Sequence, residues 1–194
     1  MRFETRTLML IGCGALINIV VGQLNQWLRL PIFLDSIGTI LVAVLAGPIA
    51  GAAAGLTGNL GRALVAGPVE AAFIPVAMAI GAVSGWLARL GFFRRWWGAA
   101  IAGVIISIVL LAVAVPIQVY LFGGVTGAGS DLVLLYLLHI GQSLFSSVAL
   151  TIFGTNIVDK VLSCLLAWVI VQRLPARLST AFTPLKTSRG KPIL

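Results

Sequence analysis

Charge is what this sequence has least of. Only 9% of its 194 residues are Asp, Glu, Lys or Arg, against 60% that are hydrophobic. A soluble domain carries about 25% charged residues, so too few are present here to coat a water-facing surface. With a mean hydropathy of +1.11, the composition points to an integral membrane protein. Cysteine is scarce as well. Cys13 and Cys164 lie in apolar stretches without partner spacing, which leaves neither a disulfide framework nor a cysteine metal motif visible. His139 is the only histidine, and one imidazole with no second His, Cys or carboxylate in ligand spacing makes no metal site. No HExxH, GxSxG, Walker lysine loop or paired-carboxylate motif occurs. Nothing equips the chain to act as an enzyme or to hydrolyse ATP by itself. A polar linker is missing too, so residues 1–174 read as one transmembrane helical domain, followed by a basic cytoplasmic tail over 175–194.

Negative charge is scarcer than positive: five acidic residues stand against thirteen Lys and Arg, a formal net charge of +8. Nucleic acid is not the implied partner. Arg2, Arg6, Arg89, Arg94, Arg95, Arg173, Arg177, Lys186, Arg189 and Lys191 sit at the ends of apolar segments, where basic residues mark cytoplasmic flanks and face lipid headgroups. The stretch LIGC at Leu10–Cys13 has the look of a lipoprotein cleavage box. Hydrophobic sequence runs on past it, so the N-terminus is expected to be a retained first span.

Hydrophobic runs are what the chain does have. The first expected span is Thr7 to about Trp27. A short second segment covers about Leu34–Ala46. Gly47-Pro48 then stops one helix and starts the next, since Gly suits the position past a C-terminus and Pro the first helical turn. The third segment runs to about Leu64, and Ala66–Glu70 is a turn. A fourth span covers about Ala71–Leu90 and ends in ARLGFFRRWW, a basic and aromatic interfacial cluster. Ala99–Leu121 is the fifth, followed by a glycine-rich loop over 123–130. Residues 131–173 allow either two spans, or a helix at the outer surface over about 132–150 with a single span over about 153–172. Charge decides: six spans place all ten clustered basic residues on one side, whereas a seventh would send the tail outside. The expected fold is therefore an all-α, six-helix membrane bundle with both termini cytoplasmic and an extra outer helix before the last span.

Under that topology the polar residues collect in the outer half. Gln23, Asn25, Arg29 and Asp35 lie around the first outer turn, Asn59, Arg62 and Glu70 around the second, and Gln118 near the top of span five. His139, Gln142, Asn156, Asp159 and Lys160 lie on the last outer stretch. A charge in hydrocarbon costs at least a few kcal/mol, so it pairs, faces a cavity or reaches the interface. Arg62 with Glu70, and Lys160 with Asp35 or Asp159, make neutral pairs. Amides and a histidine add donors that pairing alone does not need, which favours a polar pocket open to the outside. The candidate pocket residues are Asn59, Arg62, Glu70, His139, Gln142, Asn156 and Asp159, with Asp35 at its rim or capping the second helix. Trp27 and Tyr120 suit interfacial anchoring, or stacking on a planar ring. Two rows of residues spaced by four form smooth faces: Gly14, Asn18 and Gly22 in the first span, and Gly47, Gly51 and Gly55 in the third.

These features resemble the substrate-binding S components of energy-coupling factor (ECF) vitamin transporters. LPIFLDSIGTILVAVLAGPIAGAAAGLTGNL, residues 30–60, is similar to their second and third spans, and NIVDKVLSCLLAWVIVQRLP, residues 156–175, to their last. The resemblance implies a multi-pass protein of the bacterial cell membrane that captures a vitamin-like substrate at its outer face. It implies no covalent cofactor. It also implies partners: a transmembrane coupling protein with two ATPase subunits, onto which the loaded protein docks and releases its cargo. Docking in that family uses small residues in the first span. Gly14, Asn18 and Gly22 occupy the matching region, with Asn18 departing from the small residue expected there, and Gly47, Gly51 and Gly55 offer a second docking row. A structural or sensory module that only assembles with partners, and a solitary secondary carrier, are the competing classes.

Overall fold

The computed structural model describes residues 4–28 and 33–174. Arg2, Arg29 and the basic tail over 175–194 lie outside the described residues. Among the described residues the protein is all-α, with eight α-helices and one 3₁₀ turn. Helix α1 spans Thr5–Leu28, α2 Ile37–Ala46, α3 Pro48–Ala66, α4 Val69–Ala72, α5 Ile74–Arg89, α6 Trp96–Phe122, α7 Asp131–His139 and α8 Leu144–Arg173. Three of them, α1, α6 and α8, are long and apolar enough to cross a membrane. Their outward faces stay apolar, through Leu8, Leu16 and Val20 on α1, Ile101 and Ile108 on α6, and Val158, Leu162 and Leu166 on α8. So much exposed hydrocarbon fits lipid rather than water, and the chain has the build of a multi-pass membrane protein.

Helix α2 sits at the centre. At ten residues and 1.5 Å per residue it is ~15 Å long, half the ~30 Å hydrocarbon thickness. Its sequence is apolar all round, as suits a helix enclosed by others, and Ile37–Ile40 and Val42–Leu45 are all buried. Gly47, at φ 92°, ends α2, and Pro48 opens α3, as the Gly-Pro pair predicts. Helix α3 then packs on α1, α2 and α5, while α6 pairs with α8. Ile106 and Leu110 of α6, Ile40 and Val44 of α2, and Ile152 of α8 share one core.

Several boundaries differ from expectation. The fourth segment breaks at Phe73, because Pro75 in the first turn of α5 supplies no N–H to continue the preceding helix and leaves α4 a separate turn. Gly91, left-handed at φ 88°, closes off α5, and α6 begins at Trp96, three residues before the expected Ala99. The stretch over 131–152 is not one outer helix. Gly141 at φ 88° interrupts it, and Ser143 caps a new helix by accepting from the Ser146 N–H. Residues 144–152 therefore belong to α8, which runs unbroken for 30 residues. Only α7 is a separate helix in this stretch, and its nine residues span ~14 Å, too short to cross a bilayer.

Candidate functional site

The chain's few internal charges converge at one end of the bundle. Asp35 lies in the link between α1 and α2, Arg62 late in α3, Glu70 in α4, and Asp159 and Lys160 in the middle of α8. Arg62 Nη1 donates to Asp35 Oδ2 at 2.6 Å and Nη2 to Glu70 Oε1 at 2.5 Å. Lys160 Nζ donates to Ser36 Oγ at 2.6 Å and pairs with Asp159, with Asp35 Oδ1 at 3.8 Å. The result is one alternating chain: Glu70, Arg62, Asp35, Lys160, Asp159. Arg62, Lys160 and Asp159 are buried, and each finds partners of opposite sign, as buried charge requires. The two alternative partners considered for Lys160 are both used.

The surrounding backbone fixes this chain in place. Leu34 is the one non-glycine described residue with positive φ, at 49°, a conformation that costs about 1–3 kcal/mol. Its N–H donates to Asp159 Oδ1 at 2.5 Å, tying the link to α8. Asn25, near the end of α1, donates from Nδ2 to the Phe33 carbonyl at 2.8 Å on the far side of the same link. Asp35 does not cap α2; Ser36 holds the N-cap position before Ile37, without a side-chain cap, and the Asp35 carboxylate turns to Arg62 and Lys160 instead. Burial raises the Glu70 carboxyl above its ordinary value; Arg62 pulls the other way and Asp35 reinforces the rise.

Beside these charges lies a cavity of about 610 Å³, within the range of small-molecule sites. One wall is polar, with Asp35, Asn59, Arg62, Glu70, Asn156 and Lys160. The other is apolar, formed by Phe73 between α4 and α5, Val76 and Ile80 of α5, and Leu110 and Ala114 of α6. The glycine-rich link over 126–130 and the start of α7 line it from the side. Asp131 holds that link by accepting from the N–H groups of Thr126 and Gly127 at 2.9 and 2.6 Å. At the far end of α5 and the near end of α6 stand Arg89, Arg94, Arg95, Trp96 and Trp97, with Arg95 over the Trp97 ring. The cavity and the basic aromatic cluster therefore occupy opposite ends of the bundle.

Of the residues singled out in the sequence, Asp35, Asn59, Arg62, Glu70 and Asn156 line the cavity. Asp159 stands behind Lys160 rather than in the lining. His139 and Gln142 do not join the site. They are exposed near the α7–α8 junction, where Gln142 accepts from the Ser146 hydroxyl, because Gly141 turns the chain away from the cavity there. Trp27 and Tyr120 are 73% and 79% exposed and stack on nothing in the cavity. The site list drawn from the sequence omitted Lys160, Gln118, Ser36, Thr39 and Asp131, all of which contribute to the lining. Lys160 and Gln118 carried a visible signal, being polar groups inside apolar runs.

The two small-residue rows turn inward. A side chain at Gly14 would meet the Gly38 backbone of α2, and Asn18 bonds the Thr39 hydroxyl and the Gly38 N–H at 2.7 and 2.8 Å. Gly22 faces the Arg62 guanidinium and makes room for it. Gly51 abuts Ala43 and the Gly81 carbonyl, Gly55 the Ala77 backbone, and Gly47 is the turn between α2 and α3. These are the close approaches that hold α1, α2, α3 and α5 together, so the rows expected to dock a partner are covered within the chain. Among the described residues no group of His, Cys, Asp and Glu is arranged to hold a metal ion. No protein-family model, curated protein or solved structure matches the chain.

Proposed function

We propose that this protein binds a small molecule in a bacterial cell membrane as the substrate-binding component of an ECF-type uptake system. In this reading the cavity end faces outward and the Arg89–Trp97 end faces the cytoplasm, with six membrane segments and both termini inside. A vitamin or related micronutrient enters the cavity. A transmembrane coupling protein and two ATPases then drive delivery, since the chain has no ATP-hydrolysing motif of its own. The observation that carries the reading is the cavity: about 610 Å³, lined by buried charges, inside a chain that otherwise keeps charge at its ends. A purely structural module has no use for such a space. Ligand contacts to the α1–α2 link, α4 and the loop before α7 would favour one arrangement of these segments, and a partner preferring that arrangement would sense the load.

Because the glycine rows are occupied internally, a coupling partner would meet the apolar outer faces of α1, α6 or α8 instead. The test is native mass spectrometry of the purified full-length protein, followed by reconstitution into proteoliposomes. The expected result is a co-purified small molecule and binding without sustained accumulation in the vesicle. Gradient-driven accumulation by the protein alone would identify a secondary carrier. Absence of any bound molecule, with no binding to any vitamin tested, would leave only the assembly module.

A further inference from the structure

The balance of charge and hydrogen bonding in the cavity narrows the chemistry of its occupant, an inference that rests on reading the cavity as a binding site. Both cations of the lining are already engaged. Arg62 directs its two terminal nitrogens at Asp35 and Glu70, and its Nε is sealed from the cavity without a partner. Lys160 is held by Ser36, Asp159 and Asp35. Both are thus already balanced by carboxylates, and neither offers an uncompensated positive charge to an incoming anion.

Acceptors are in surplus. Asp35, Glu70 and Asp131 line the cavity against two cations. Glu70 uses only Oε1 for Arg62, which leaves its second oxygen without a protein donor. The amides repeat the pattern. Asn59 donates from Nδ2 to the Glu70 carbonyl at 3.2 Å, Asn156 from Nδ2 to the Ile152 carbonyl at 2.9 Å, and Gln118 from Nε2 to the Gly124 carbonyl at 2.6 Å. In each, the NH₂ group donates to the protein, whereas the amide oxygen accepts from no protein donor. Asn156 and Gln118 are only 7% and 5% exposed, and both residues line the cavity.

We propose that the cavity takes a small organic cation bearing N–H donors, with its charged head on Glu70 and the amide oxygens and its carbon body on the wall of Phe73, Val76, Ile80 and Leu110. A cation offsets the surplus carboxylate and satisfies the open acceptors, while its carbon body packs on the apolar wall. An anion would meet a lining in which carboxylates outnumber cations and both cations are already paired.

The experiment uses the full-length protein in lipid nanodiscs and three probes sharing one ring: benzamidine, benzamide and benzoate, which are cationic, neutral and anionic near neutral pH. Titration calorimetry and thermal shift are read over the same concentration range. The expected result is an order of benzamidine, then benzamide, then benzoate, with benzamidine at least about tenfold tighter than benzamide. Glu70→Gln should lower benzamidine affinity by much more than benzamide affinity and so remove most of that preference. Equal binding of all three, a preference for benzoate, or a co-purified anion would overturn the cation assignment while the binding site stands. A preference for benzamidine that survives Glu70→Gln would overturn the placement of the head on Glu70. If none of the three probes binds, the inference fails; if no small molecule co-purifies either, the reading of the cavity as a binding site fails with it.

Discussion

The two walls of the cavity are built on different principles. The polar wall, from the α1–α2 link, α3, α4 and α8, depends on particular atoms: Lys160 Nζ, Arg62 Nη1 and Nη2, and three carboxylates, each placed by the others. The apolar wall, from α5 and α6, depends on volume and shape. Loss of one member of the polar wall leaves buried charge uncompensated, whereas the apolar wall tolerates side chains of similar bulk. One side is thus suited to fixing a ligand's orientation and the other to accommodating its body.

That contrast can be broken or sharpened by substitution. The largest effect is expected from Lys160→Met, which leaves Asp159 fully buried and Asp35 short of one partner. The cost should be about 3–5 kcal/mol, read as loss of folded protein in a detergent thermal melt; a melt near the parent's would mean that the ionic chain is dispensable. Gly51→Ala comes next, at about 1–3 kcal/mol. A methyl group there would crowd Ala43 and the Gly81 carbonyl, which is 2.7 Å from the added carbon. If the glycine row instead faced a partner, this variant would melt normally and lose only the partner. Leu110→Met, on the apolar wall, should cost less than about 1.5 kcal/mol and barely change ligand affinity. The smallest effect belongs to His139→Ala combined with Gln142→Ala, within about 0.5 kcal/mol and with unchanged binding. A loss of affinity there would bring the α7–α8 junction back into the site.

Much of this arrangement is legible in the sequence, for identifiable reasons. Arg62 and Lys160 stand out because basic residues elsewhere lie at segment ends, and an isolated charge in an apolar run has to find a counter-ion. Gly47-Pro48 fixed the α2–α3 boundary because each residue has one conformational preference suited to its place. For His139 and Gln142, polarity within a mainly apolar stretch does not fix an inward orientation, and both are exposed. The direction they face depends on the Gly141 turn, and glycine leaves several directions open. The spacing of Gly14, Asn18 and Gly22 disclosed a close-packing face but not whose backbone it meets, since a helix of the same chain and a helix of a partner require the same smooth surface. The shape and charge surplus of the cavity needed coordinates, because its lining comes from almost every helix.

The ionic chain also bears on how the protein is made. Ser36 and Lys160, joined through one ammonium group, are 124 residues apart, so the acid before α2 leaves the ribosome long before the lysine in α8. Until α8 is made, Arg62 is the cation among the described residues that pairs with Asp35 and Glu70. Helix α8 therefore acts as a latch, since its lysine closes the ionic chain from the far side.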